Sequence, residues 1–549
     1  MKECTLMFYF ASDNPLAISI VSQLKAIKAA GFHQEANVIV QFDPFTEGTP
    51  THVFDVNLVN KLKTEYACKT DFTEDSPFVL NLIEDKLWNG ERTRDGHSIR
   101  NETRKFVRGY DPPEPPNGLE MVKGEEQEIG PKKSLSKFLK FCRDNYPAKH
   151  YLLFILGHGV VVGNDVFLYD ENADEHSLKL SEFGDILRKF KEHVEKRGGS
   201  FDLLGMHSCS VSSLEVAYEL QDTARYMLAS QGTAFVGSWP YRQMLRRVFN
   251  SLEHRTPFNQ QTMKDMLVDL FFYCMHNSTD FLLAGYPFDL CLCDLSQIST
   301  IKEPLEKLSR ALVNGLKYRK VMDLIVLAHW RSQSFFQETY TDVYDFCFCL
   351  QEKIQELPGP LTESLRDLLE ACDYVMSALE KERPRRKSND EEKLIVCSEF
   401  AGPEYQYSHG LSLYFPWSRP PADRHIMREY GEYKISSKEF ETSWSNFLNA
   451  YLAATMREPS RVEQHRPALQ GAQALYEDKI SLVYTREGPH NSQNALDQRA
   501  KTDPKDPTGG DCSCPSIKNF PNDVRGPDQL KQAPNSVTIS EAFLPRPAG

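Results

Sequence analysis

The stretch FDLLGMHSCSVSSLEVAYELQDTARYMLASQ, residues 201–231, decides the fold. Phe201–Met206 is a short apolar run with the length and flanks of a buried strand. It ends at His207-Ser208-Cys209. A helical pattern follows at once, with Leu214, Ala217, Tyr218 and Leu220 at helical spacing, and a second apolar run occupies Tyr226–Ala229. Strand, helix and strand over about thirty residues form a βαβ unit, which implies a parallel sheet. Open parallel sheets carry their chemistry at the carboxyl ends of strands, and Cys209 stands at such an end. Placed just before a helix, its thiol is expected to have a lowered pKa and to act as a thiolate nucleophile. Taken alone, Cys209 reads as a small apolar core residue.

A second stretch points the same way. Tyr151–Leu156 is another short apolar run, and it ends in Gly157-His158-Gly159. Glycines on either side of a histidine let the backbone approach another group closely. His158 precedes Cys209 by 51 positions, and a histidine about fifty residues before a strand-end cysteine is the caspase arrangement. A helical segment over residues 181–197 lies between them. The order strand-His, helix, strand-Cys puts the two side chains on neighbouring strand ends.

These phrases, with ASDNPL (11–16), NVIVQFD (37–43), YPAKHYLLFILGHG (146–159), WPY (239–241) and GLSLYFP (410–416), resemble the clostripain family of cysteine peptidases. The resemblance runs over about residues 1–455, in the family's order. It implies an α/β, caspase-like three-layer sandwich, with a mostly parallel central sheet flanked by helices and a largely helical C-terminal extension. By the same resemblance His158 is the general acid or base and Cys209 the nucleophile. The backbone N–H groups of Gly159 and Cys209 are the implied oxyanion donors. His207, Ser230, Gln231 and Trp239 are the residues expected to line the substrate pocket.

The chain departs from the family at two places. Members carry an aspartate two residues before the nucleophile, which pairs with Arg or Lys at the cleavage site; here that position is His207. An imidazole cannot replace a carboxylate as partner for a guanidinium. Members are often matured by self-cleavage at a basic residue after the catalytic histidine, yet no Lys or Arg lies between Gly157 and Lys179. The expected preference therefore moves away from Arg and Lys, unless an acid from elsewhere refills the pocket.

Composition limits the other classes. The chain has 549 residues, 40% hydrophobic and 26% charged, which suits a globular protein of two to four domains. A net charge of −13 argues against nucleic acid as a partner. No stretch has the length and purity of a membrane span. The N-terminus has an early acid, Glu3, and no small-residue cleavage site, so it does not read as a signal peptide. Thirteen cysteines, an odd number, then read as reduced thiols in a cytoplasmic protein. The expected partner is a protein or peptide substrate, and the expected state is a monomer.

The remaining organisation follows from periodicity. Thr5–Phe10 and Ala36–Phe42 read as core strands, residues 12–30 and 134–146 as helices, and residues 44–125 as irregular. Beyond residue 241 the pattern is mainly helical, over 257–277, 298–318, 359–381 and 440–453. Phe288–Leu295 and Val343–Leu350 read as strands or as buried helix, Leu411–Phe415 as a late strand, and Arg383–Glu392 as a surface loop. The domains read as a catalytic core over 1–250, a C-terminal part of the peptidase unit over 251–455, and a poorly ordered tail over 456–549.

Other constellations carry less. The pairs Cys291/Cys293 and Cys347/Cys349 have the one-residue gap of packed strand neighbours rather than a zinc spacing, and Cys512/Cys514 lies in the polar tail. Asp170, Asn172 and Asp174 resemble the start of a calcium loop but lack the glycine at its sixth position. Calcium is retained as a candidate ligand because the family includes a calcium-dependent member; no cofactor is required. Two rivals to the peptidase remain: a catalytically weak or inactive pseudo-peptidase that binds peptides or partners, and a metal site made of His158, His207 and Cys209.

Overall fold

The structure, a computed structural model, describes residues 1–12, 16–31, 33–42, 52–56, 130–159, 162, 167–168, 177–254, 258–277, 286–336, 338–382, 392–417, 426–437 and 441–455. Its contacts divide them into two units. The first takes residues 1–211 and 219–296, and the second takes 212–218 and the described residues from 297 onward.

The first unit is built mainly on short apolar runs. They form β1 (Lys2–Phe10), β2 (Ala36–Phe42), β3 (His52–Asp55), β4 (Ala148–Leu156), β5 (Ser200–His207), β6 (Tyr226–Ala229) and β7 (Phe288–Asp294). These strands lie in the order β7-β6-β5-β4-β1-β2-β3. Pairings β1–β2, β1–β4, β4–β5 and β5–β6 are parallel. The outer pairings β2–β3 and β6–β7 are antiparallel. Strands buried on both faces in this way need continuous apolar runs, not alternation, which is why the central segments read as they do.

Helices cover both faces of the sheet. They are α1 (Ala17–Lys28), α2 (Pro131–Asn145), α3 (Leu180–Glu195), α5 (Tyr241–His254) and α6 (Gln260–Asn277). Successive side chains of a strand point to opposite faces. Phe8 meets Tyr241 of α5 at 5.4 Å between ring centroids, while Tyr9 meets Phe138 of α2 at 5.8 Å. Likewise Tyr151 meets Phe190 of α3, and Phe154 meets Tyr241. One face is thus closed by α2 and α3, the other by α5, with α1 and α6 packed beside α5. This is the expected three-layer α/β sandwich with a mostly parallel sheet.

The second unit contains α4 (Leu214–Glu219) up to Tyr218, then α7 (Lys302–Gly315), α8 (Arg319–Arg331), α9 (Val343–Gln355), α10 (Glu363–Ala378), α11 (Ile426–Glu432) and α12 (Trp444–Thr455). It also holds strands β8 (Ser334–Phe335), β9 (Tyr340–Asp342), β10 (Ile395–Ala401) and β11 (Ser412–Tyr414), of which β11, β9 and β8 form an antiparallel sheet. The Phe415 ring is its centre, stacked on His329 at 3.6 Å and edged by Trp444, Phe447 and Tyr451. Glu215 of α4 accepts the Tyr414 N–H and the Tyr430 hydroxyl, both at 2.7 Å.

Several expectations are refined. Of the two ambiguous runs, residues 288–294 form a strand and 343–355 a helix. The helix starts there because the Asp342 carboxylate accepts the Asp345 N–H at 2.9 Å, which caps it. By its contacts the first unit extends to residue 296 and includes β7, which pairs with β6. The tail over 456–549, most of 44–125 and residues 383–391 lie outside the described residues.

Candidate active site

The parallel register between β4 and β5 brings the two chemistry-bearing loops together. Leu156 pairs with His207. His158 and Cys209 each stand two residues beyond that pair, on strands whose spacing is about 4.8 Å. The loops also touch: a β-carbon built on Gly159 would lie 2.9 Å from the Cys209 amide nitrogen and closer still to its carbonyl group. Only a residue without a side chain fits there.

Cys209 is half-buried, and its sulfur is engaged by the backbone of one residue. The thiol points at the Ala234 carbonyl oxygen at 3.6 Å, and the Ala234 N–H points at the sulfur at 3.4 Å. The chain on either side is zipped together. Ser210 N–H donates to Gly232 O at 2.9 Å, and Val211 N–H donates to Ser230 O at 3.1 Å. Behind this segment, the buried Asp289 carboxylate accepts the N–H groups of Gln231 at 2.7 Å and Gly232 at 2.8 Å.

The expected lowering of the thiol pKa by a helix does not occur. Ser210 adopts a positive φ of 51°, and the following helix begins only at Leu214. Cys209 is therefore five positions from any helical N–H. Burial instead pushes its thiol up; the Ala234 N–H pulls it partly back, and the Asp289 charge pushes it further up. His158 is also half-buried, and burial lowers its pKa. In this conformation both groups rest neutral at neutral pH.

The four residues expected to line the pocket are enclosed. His207, Ser230, Gln231 and Trp239 are 3%, 0%, 0% and 1% exposed. His207 stacks on Trp239 at 4.7 Å with nearly parallel rings. Its Nε2–H donates to the Phe235 carbonyl at 2.6 Å, which leaves Nδ1 to accept the Tyr241 hydroxyl at 3.0 Å. Burial pushes this imidazole down to about 3, so it is neutral and fully bonded within the protein. The reason is packing: the space beyond His207 is filled by residues 235–241, and no face of the ring is left for a ligand.

Among the described residues, no group of three or more His, Cys, Asp or Glu side chains is arranged to hold a metal ion. His207 turns both nitrogens away into protein partners, so the rival site of His158, His207 and Cys209 is not assembled. Asp170, Asn172, Asp174 and Cys512/Cys514 lie outside the described residues. A groove of about 250 Å³ between α2 and α3, lined by Lys132, Lys140, Arg143, Glu182 and Lys189 among others, includes none of the candidate residues. Sequence reasoning missed two groups beside the sulfur. Ala234 carries no signal in a sequence; Asp289 does, as a lone acid within the apolar run FDLCLC.

A model of the clostripain family matches residues 114–462. The chain belongs to the clostripain family. Within it, the clostripain of Hathewaya histolytica is 23% identical over 366 residues, which are 59% of this chain and 63% of that protein. The chain thus spans less than two thirds of that relative's length. Among solved structures, an inactive zymogen C11 protease from Parabacteroides distasonis is 14% identical, covers 79% of this chain and 97% of its own, and superposes with a TM-score of 0.44. A secreted C11 cysteine protease from Bacteroides thetaiotaomicron, in complex with an irreversible peptide inhibitor, is 11% identical, with 82% and 99% covered and a TM-score of 0.43.

Proposed function

We propose that the chain is a cysteine endopeptidase that cleaves peptide bonds with a Cys209/His158 dyad. The observation that carries this reading is the close approach of the two strand-end loops at Gly159 and Cys209. Family membership supports the reaction class. His158 takes the Cys209 proton as the sulfur attacks the peptide carbonyl carbon. The backbone N–H groups of Gly159 and Cys209 then meet the developing negative oxygen, an effect worth about 3 to 4 kcal/mol per donor in serine proteases. His158 next gives its proton to the leaving amine, and a thioester remains. Water, deprotonated by His158, attacks the thioester and releases the acid product and the thiol. The steps use side chains and backbone alone and call for no cofactor. Calcium at Asp170, Asn172 and Asp174 would serve structure rather than chemistry.

The enclosure of His207 and the Ala234 contacts at the sulfur favour one refinement: this conformation is a resting one, and substrate entry displaces residues 232–238. The absence of a carboxylate at position 207 supports a preference for residues other than Arg or Lys. The intended substrate is a protein or peptide, processed by a monomer. The ten cysteines among the described residues are unbridged, which supports a reducing, cytoplasmic location. Among the described residues no helix is long and apolar enough to cross a membrane. The test is hydrolysis of a mixed peptide library by the wild type, Cys209→Ala and His158→Ala. Loss of cleavage in both variants, with folding intact, supports the dyad. Full activity in either removes that residue from it, and an inert wild type with a bound peptide favours the pseudo-peptidase.

A further inference from the structure

Asp289 has no place in the reaction above, yet among the described residues it is the carboxylate whose charge acts on the Cys209 sulfur. It is 1% exposed and sits at the start of β7. The antiparallel register of β6 and β7, with Ala229 opposite Cys291, carries on to set Asp289 opposite Gln231. Both of its oxygens are used, one on the Gln231 N–H and one on the Gly232 N–H. Gly232 in turn accepts the Ser210 N–H, one residue after the nucleophile, and Ala234 contacts the sulfur through both its N–H and its carbonyl oxygen. A buried carboxylate therefore fastens the segment whose next residues reach the thiol.

We propose that Asp289 is a positioning residue for Cys209, fastening residues 231–232 so that Ala234 holds the sulfur in its protonated resting pose. The inference rests on the reading of Cys209 as the nucleophile. A charged clamp has two separable effects. It fixes the backbone, because a carboxylate accepts two N–H groups at once and a carboxamide accepts only through its one oxygen. It also disfavours the thiolate, because like charges repel in a buried setting. The titratable residues nearest in chain and register are His158, which follows β4, and His207, whose ring faces Trp239 and Phe235 O. Neither carries a negative charge, so removing Asp289 removes the local anionic influence.

The experiment is alkylation of the full chain by iodoacetamide across pH 5 to 10, read by mass spectrometry of the peptide that contains Cys209. Asp289→Asn is expected to shift the midpoint of labelling down. Asp289→Glu, which keeps the charge, is expected to stay near the wild-type midpoint. Asp289→Ser supplies a second uncharged variant should the Asn protein fail to fold, and the same downward shift is expected of it. An unchanged midpoint in a folded, uncharged variant would overturn the assignment of Asp289 while leaving the peptidase reading intact. A wild-type Cys209 that takes no label at any pH would overturn the nucleophile reading, and this inference with it.

Discussion

Gly159 and Cys209 are packed backbone to backbone: a β-carbon on Gly159 would stand 2.7 Å from the Cys209 carbonyl carbon and 2.9 Å from its amide nitrogen. Neither neighbour is a side chain that can swing aside. Gly159→Ala is therefore expected to push the His158 loop away from the Cys209 loop. A displacement near 1 Å at reacting groups costs about a hundredfold in rate. The expected outcome is a loss of kcat of that order, with the circular dichroism spectrum kept. Unchanged kcat would show that the two loops are not required to meet.

Gly205 offers a contrast within the same unit. A β-carbon there would come 2.7 Å from Phe154 Cδ1 and 3.1 Å from the Trp239 ring. These are core side chains, with Phe154 stacked on Phe8 at 4.9 Å. Gly205→Ala is expected to destabilise the fold by about 1 to 3 kcal/mol through overpacking. Denaturant unfolding measures this directly. A change below about 0.5 kcal/mol, the scatter of neutral surface substitutions, would count against the packing described.

His207 predicts a pH dependence of stability. Its folded pKa is about 3, depressed by burial from the usual value near 6.5. The folded state prefers the neutral ring, so the contribution of this group is full above pH 6.5. It is lost as pH falls from 6.5 toward 3, with a slope of about 1.4 kcal/mol per pH unit. His207→Phe removes that slope and lowers stability at neutral pH, because the Phe235 carbonyl and Tyr241 hydroxyl each lose a partner. Chemical unfolding of both proteins at several pH values checks the sign. Equal slopes would mean that His207 does not stay neutral in the fold.

Cleavage preference follows from the same residue. The position that holds an aspartate in the family here holds an imidazole that donates to a backbone carbonyl. Peptides that differ only in Arg, Asp, Leu or Phe at the cleaved residue are expected to show no advantage for Arg. A tenfold or greater preference for Arg in kcat/KM, about 1.4 kcal/mol, would mean that another acid serves the pocket.

Much of the strand layout that carries His158 and Cys209 was legible because it depends on local patterns. Residues 36–42 and 226–229 form strands with the ends their apolar runs suggest, β4 ends where Gly157 breaks its run, and β5 continues one residue past Met206 to His207. The relation of His158 to Cys209 follows from two adjacent strands in register. The loop after Cys209 was not legible: Leu214, Ala217 and Tyr218 have helical spacing, but the left-handed backbone at Ser210 and the bond from Val211 to Ser230 keep the intervening residues out of the helix. The inward turn of His207 was hidden for a similar reason. Its partners Phe235 and Tyr241 are 28 and 34 positions away, and polarity alone does not say which polar group finds a partner inside. Val343–Leu350 shows the reverse, since Asp342 was a visible cap that the alternating Cys and Phe residues obscured.

The most direct test of the dyad is labelling by an irreversible peptide-based thiol reagent, such as a chloromethylketone, of the wild type beside Cys209→Ala and His158→Ala. The expected result is one added reagent mass on the Cys209 peptide of the wild type, none in Cys209→Ala, and strongly slowed labelling in His158→Ala. Labelling of another cysteine with Cys209 untouched, or equal labelling rates with and without His158, would contradict the account.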